Sequence, residues 1–154
     1  MKTIIHAGAG TLAMILIGGF LIATLICELL LDAAAILAVK KAILAGLCLL
    51  IPMLAITGGS GFSLARGRDS PAIKRKRGRM KIIAGNGLLI LLPLAILLYL
   101  RAAAGLFDAA FYAMQTLEVL AGSAQLTLLA LNFRDGRKLT RGKRLAAAKT
   151  VNAI

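Results

Sequence analysis

Residues 82–100 read IIAGNGLLILLPLAILLYL, nineteen consecutive positions without a Lys, Arg, His, Asp or Glu. Wound as a helix, that run covers about 28 Å, and about 20 apolar residues suffice to cross the hydrocarbon core of a bilayer. Immediately before it stands KRKRGRMK (residues 74–81), a basic cluster that cannot follow it into lipid. Three further windows have the same character: 4–27, 42–60 and 109–131. The whole chain is 60% hydrophobic with a mean hydropathy of +0.89, whereas soluble domains average about 45–50% apolar. The expected fold is therefore all-α, an antiparallel four-helix transmembrane bundle over residues 1–132. A basic loop at 61–81 and a basic tail at 133–154 complete it.

The first window follows Met1-Lys2, as a secretory signal would. Its length exceeds the 7–15 residues of a signal core, and it runs into Glu28 without a clear cleavage site, so it reads as a retained span.

The formal net charge of +13 is unevenly placed. Arg66, Arg68, Lys74, Arg75, Lys76, Arg77, Arg79 and Lys81 lie between spans 2 and 3, and Arg134, Arg137, Lys138, Arg141, Lys143, Arg144 and Lys149 follow span 4. Lys2 joins them, while Lys40, Lys41 and Arg101 fall on the opposite side. The positive-inside rule then puts both termini and the central loop in the cytoplasm. Lys74, Arg75, Lys76, Arg77, Arg79, Arg137 and Lys138 are expected to rest against anionic lipid head groups. Neither basic stretch carries the interleaved aromatics of a nucleic-acid platform, so nucleic acid is not an expected partner.

Outside the spans, Glu28 to Lys41 is expected to form a short interfacial helix, with Lys40 and Lys41 neutralising Glu28 and Asp32. Asp108 is the expected N-cap of span 4.

Span 4 holds the most informative polar residues. At 100° per residue, Asp108, Gln115, Glu118, Gly122, Gln125 and Asn132 share an arc of roughly 120°, a stripe that must avoid lipid. An ionised Glu118 near the midplane costs about 3 kcal/mol on insertion scales, so it should face the bundle or a cavity. Pro52 and Pro93 each remove a backbone donor and crowd the carbonyl four residues earlier, at Cys48 and Leu89, so both helices are expected to kink near Glu118. Lys40–Met53 aligns without a gap on Lys81–Leu94, the pattern of an inverted repeat, although Leu-rich spans match one another easily. Nearer the cytoplasm, His6, Thr11, Thr57, Asn86 and Gln125 are expected at one depth, as a hydrogen-bonded layer or part of a proton pathway.

His6 is the sole histidine, so no bis-histidine haem can be assembled within one chain, and no cofactor or metal is expected. Cys27 and Cys48 are expected as buried, unpaired thiols. None of C-x-x-C, H-E-x-x-H, G-x-S-x-G or a P-loop occurs, so catalysis has no positive support. Ala9/Ala13 and Gly19/Ala23, each four apart on span 1, permit close helix packing or homodimerisation.

The segments Gly78–Leu89 (GRMKIIAGNGLL), Phe107–Glu118 (FDAAFYAMQTLE) and Asn132–Gly136 (NFRDG) resemble small uncharacterised four-span inner-membrane proteins of proteobacteria. That resemblance implies residence in the bacterial cytoplasmic membrane and brings no activity with it. The leading functional expectation is a non-enzymatic integral membrane protein acting through assembly, with itself or with a membrane complex. The alternative is a small transporter or channel for a proton, cation or small solute using Glu118, and haem-based electron transfer is a remote third.

Overall fold

A computed structural model describes residues 2–67 and 70–151, with the side chains of all of these except 2, 65, 72 and 139–151. Five α-helices form four rods: α1 (Lys2–Leu30), α2 (Ala33–Ala65), α3 (Pro71–Asn86) continued through a π-helical turn (Gly87–Leu91) into α4 (Leu92–Ala103), and α5 (Ala109–Val151). Each rod contains a stretch long and apolar enough to cross a membrane. The chain is thus a multi-pass membrane protein built as a helical bundle. Every window expected from the sequence lies inside one rod, but the helices run several residues beyond it.

Local chemistry explains where the rods begin and end. Asp32 caps α2 through its carboxylate, which accepts from the Ala35 N–H at 2.9 Å, so α1 turns directly into α2. The expected interfacial helix over Glu28 to Lys41 therefore does not exist, because the cap falls in the middle of it. Ser70 caps α3 with Pro71 at its first turn, where a missing N–H does no harm. Gly105 closes the C-terminus of α4 at φ +70, and Asp108 caps α5, accepting from the Phe111 N–H at 3.0 Å.

Pro52 is accommodated within α2, and Pro93 within the first turn of α4 directly after the π-helical turn. A wider turn ahead of a proline relieves its clash with the preceding carbonyl without ending the rod. Both prolines are exposed on outward faces. By helical rise Pro52 lies roughly 28 Å from the start of α2 and Glu118 about 14 Å from the start of α5, so Pro52 does not share the level of Glu118, contrary to the expectation from sequence. α5 continues to Val151 with no capping break after span 4, so the basic residues that follow the span extend the same helix.

The rods form a ring in which α1 packs on α2 and α5, and the α3–α4 rod packs on the same two. The diagonal pair, α2 and α5, makes no backbone approach, which leaves side chains alone to fill the axis between them. Two apolar cores result. One, near the 30–33 and 104–108 connections, gathers Cys27, Ile36, Leu98, Ala102 and Phe111 and marks the hairpin end of the bundle. The other gathers Ala13, Ile17, Leu50, Ile83 and Leu129 toward the opposite end. That is the basic end, where Arg79, Lys76, Asp135 and His6 surround the core.

Candidate functional site

Ile36, Lys40, Ile43 and Leu50 are all buried and recur on one face of α2. Lys40 therefore points inward although it is charged, and it is only 1% exposed. Its ammonium crosses the bundle axis and donates to Glu118 Oε2 of α5 at 2.6 Å, joining the two rods whose backbones do not touch. Glu118 is 12% exposed and also accepts from Gln115 Nε2 at 3.2 Å. An acid one turn from its amide partner on the same helix is held in place by helical spacing alone.

Glu28 belongs to the same group. It sits near the end of α1, one turn beyond Thr24, which shares a pocket wall with Glu118, and its Oε1 is shut off from solvent without a donor. Gln115 Oε1 is a second sealed acceptor without a donor. The sequence pattern separates Glu28, Lys40 and Glu118 by depth and puts Lys40 outside the bilayer. The structure corrects the placing of Lys40: it meets Glu118 roughly 10 Å inside the start of α2, with Glu28 about 7 Å nearer the hairpin end by helical rise.

Beneath this cluster, on the basic-end side, lies a central cavity of about 70 Å³. All four rods contribute to its wall, including Phe20, Thr24, Leu47, Leu91, Glu118 and Gly122. Glu118 and Thr24 are the only polar side chains among the lining residues. Toward the basic end the cavity ends on Ile17 and Leu50 of the second apolar core, and an amide layer lies at about that level. Asn86 Nδ2 donates to Gln125 Oε1 at 2.8 Å and to the Ala121 carbonyl at 3.0 Å, while Gln125 Nε2 donates to the Ile83 carbonyl at 3.1 Å. From hairpin end to basic end the axis thus reads apolar core, charges, cavity, amides, apolar core.

The stripe expected on span 4 faces the bundle except at its start: Gln115, Gly122, Gln125 and Asn132 are buried and Glu118 nearly so, whereas Asp108 is exposed in the connection before α5. The expected five-residue layer, by contrast, divides in two. Asn86 and Gln125 join α3 to α5, whereas His6 Nδ1 meets the Thr57 carbonyl at 3.0 Å and Ser60 Oγ at 3.1 Å, joining α1 to α2. Thr11 is exposed and takes part in neither. The aligned lysines also part company, with Lys40 buried at the hairpin end and Lys81 exposed at the other.

At the basic end Arg79 donates to Asp135 Oδ2 at 2.7 Å, and Lys74, Arg75, Arg137 and Lys138 are exposed, with Lys76 and Arg77 half-buried. Arg68 lies outside the described residues, as do the side chains of Lys2, Arg141, Lys143, Arg144 and Lys149. Outside the spans, Asp108 is paired with Arg101 at 2.5 Å. The Phe111 N–H and then the Arg101 guanidinium stabilise its charged form and hold its carboxyl below the usual range. Both cysteines are free; Cys27 is buried as expected, whereas Cys48 lies on an outward face of α2 and is exposed, contrary to the expectation from sequence. Among the described residues no group of three or more His, Cys, Asp or Glu is arranged to hold a metal. No family model, curated protein or solved structure matches the chain.

The residue that sequence reasoning missed is Lys40. Its signal was present in the spacing of Ile36, Lys40, Ile43 and Leu50, which sets the lysine on the apolar stripe of its own helix.

Proposed function

We propose that the chain is a small transporter of the bacterial cytoplasmic membrane, with the basic end and both termini cytoplasmic, in which the Lys40–Glu118 pair closes a central solute cavity on its outer side. The observation that carries this reading is the position of that pair. It spans an open diagonal of the bundle at the hairpin side of a central cavity whose wall includes Glu118, with the Asn86–Gln125 layer lying toward the basic end. Stability alone does not account for such a pair, since apolar side chains of similar volume often serve a buried site as well or better. Ionisable groups within spans instead mark pathways for ions or solutes. Passage past Glu118 requires its contact with Lys40 to part, and a proton or competing cation on the carboxylate is the chemistry that parts it. No reaction is assigned, and the protein is read as non-enzymatic and free of cofactor. The concentration of Arg and Lys at one end supports the orientation, and the exposed members of that set suit anionic head groups.

The test is flux in liposomes. Purified protein should move a proton, a monovalent cation or a small amine across the membrane, and Glu118→Gln should abolish the movement while leaving the elution volume in detergent unchanged. Flux that is equal in the wild type and in Glu118→Gln would sink the reading.

A second reading, assembly with another copy, draws on the outward face of α5. Thr116, Ser123 and Thr127 are exposed there, and Thr116 and Thr127 return their hydroxyls to the carbonyls of Tyr112 and Ser123. Ala113, Ala124 and Ala130 lie beside them, so this face is low enough for a second helix to approach closely. Thr116→Leu with Ser123→Leu should then convert an oligomer to monomer in cross-linking, and an unchanged ladder would remove this reading.

A further inference from the structure

Lys40 neutralises only one of the two carboxylates gathered at the hairpin end of the cavity. With Glu28 and Glu118 both ionised the group carries one negative charge in excess, held among packed helices. Two oxygens there are also unmatched: Glu28 Oε1 and Gln115 Oε1 are both sealed from solvent, and neither receives a hydrogen. Gln115 is only 5% exposed, and its amide nitrogen is fixed on Glu118, so its oxygen is presented within this group. A surplus negative charge and two unmatched acceptors specify the same kind of partner, a small positive one.

We propose that Glu28, Gln115 and Glu118 form a binding site for a single small monovalent cation, a proton or an alkali ion, carried on the free oxygens of Glu28 and Gln115 beside the Lys40–Glu118 pair. This rests on the transport reading for its purpose, where it names the coupling ion, but not for its existence. The ion reaches the site from the hairpin end, because Glu28 is half-buried and lies two residues from the end of α1. Binding cancels the excess charge and weakens the hold of Glu118 on Lys40, since the added positive charge attracts the same carboxylate and repels the ammonium. Among the described residues no other charge competes. Asp32 is committed to its cap, Lys41 is exposed, Arg101 and Asp108 pair with each other on the far connection, and the α3–α4 rod offers no further ionisable side chain but Tyr99 at this end.

Binding is measured at equilibrium on the full chain in detergent or nanodiscs. Sodium chloride is titrated into weakly buffered protein, with choline chloride as the reference salt, and released protons are followed with a pH dye. In parallel, infrared difference spectra on acidification record the carbonyl band of a protonated carboxylic acid. Proton release with sodium beyond that with choline identifies an exchangeable alkali site. An acid band without sodium-driven release identifies the proton as the sole ligand. The sodium-driven release should vanish in Glu28→Gln and fall in Gln115→Leu, the acid band should lose its Glu28 component in Glu28→Gln, and both signals should persist in the control variant Asp32→Glu, which keeps a carboxylate at the cap. Absence of both signals in folded wild-type protein overturns the proposal, as does their full retention in Glu28→Gln. Binding without any solute flux would sink the transport reading and leave this one standing, whereas flux without binding does the reverse.

Discussion

Removing the ammonium of Lys40 tests how much of the bundle depends on the diagonal pair. In Lys40→Met the apolar side chain has a similar length and remains between Ile36 and Ile43, so packing is largely kept. Glu118 is left with Gln115 Nε2 alone, and the excess charge at the site doubles from one carboxylate to two. Breaking one side of a buried pair costs about 3–5 kcal/mol in soluble proteins. Glu118 is 12% exposed rather than sealed, so the lower end, about 3 kcal/mol, is expected here. The double variant Lys40→Met/Glu118→Gln removes the orphaned charge and should recover about 2 kcal/mol of that loss. Equilibrium unfolding in mixed micelles, followed by far-UV circular dichroism for the four proteins of the cycle, gives the coupling directly. Interhelical hydrogen bonds in membranes average only about 0.6 kcal/mol. A coupling near that value, or single-variant costs that simply add, would show that the pair is an incidental contact and would remove the physical basis for a charge closing the cavity.

Other positions probe the rest of the axis. Gly46→Ala places a methyl group against the Phe20 ring, whose edge already occupies that space, and should cost about 1–3 kcal/mol, with Gly46→Ala/Phe20→Leu recovering most of it in the same unfolding assay. Gln125→Leu leaves the Asn86 amide short of an acceptor and the Ile83 carbonyl short of a donor, a loss of about 1 kcal/mol, together with faster hydrogen exchange where α3 meets α5. At the far connection, the depressed carboxyl of Asp108 binds its proton more weakly folded than unfolded. Its stabilisation is therefore complete above the unfolded value of about 4 and is lost as pH falls through the lower folded value. Asp108→Asn should flatten that acid limb of the stability profile and leave neutral-to-alkaline behaviour parallel to the wild type.

The number of rods, their approximate limits and the inward stripe of α5 were legible in the sequence because burial in lipid imposes a single dominant periodicity. Gln115, Gln125 and Asn132 could not face acyl chains, and they do not. Lys40 was misplaced for an equally physical reason. Adjacent to Lys41 and following an acidic turn, it resembles a flanking charge, and only the Asp32 cap, which starts α2 seven residues earlier, carries it into the span. The partition of His6 and Asn86 into separate contacts was also out of reach. Equal depth does not fix which neighbours touch, and that depends on the ring order α1, α2, α3–α4, α5.

That ring order is what gives the charges their leverage. A salt bridge between adjacent rods would add to contacts that their backbones already make, and breaking it would change little in the spacing. Lys40 and Glu118 instead bridge a separation the backbones leave open, next to a void whose wall offers almost no other polar atom. The amide layer on the other side ties α3 to α5, two neighbours already in contact, and engages backbone carbonyls at Ile83 and Ala121 that do not titrate. The two polar layers of the axis therefore differ in kind. The lower one is fixed by neutral hydrogen bonds between packed helices, and the upper one rests on the charge balance of three side chains, which a single proton or metal cation is able to alter. Movement at the hairpin end with the basic end held is the mechanical consequence, and the distance between spin labels placed on α2 and α5 at the exposed positions Lys41 and Leu117 should report it by changing with pH in the wild type but not in Glu118→Gln.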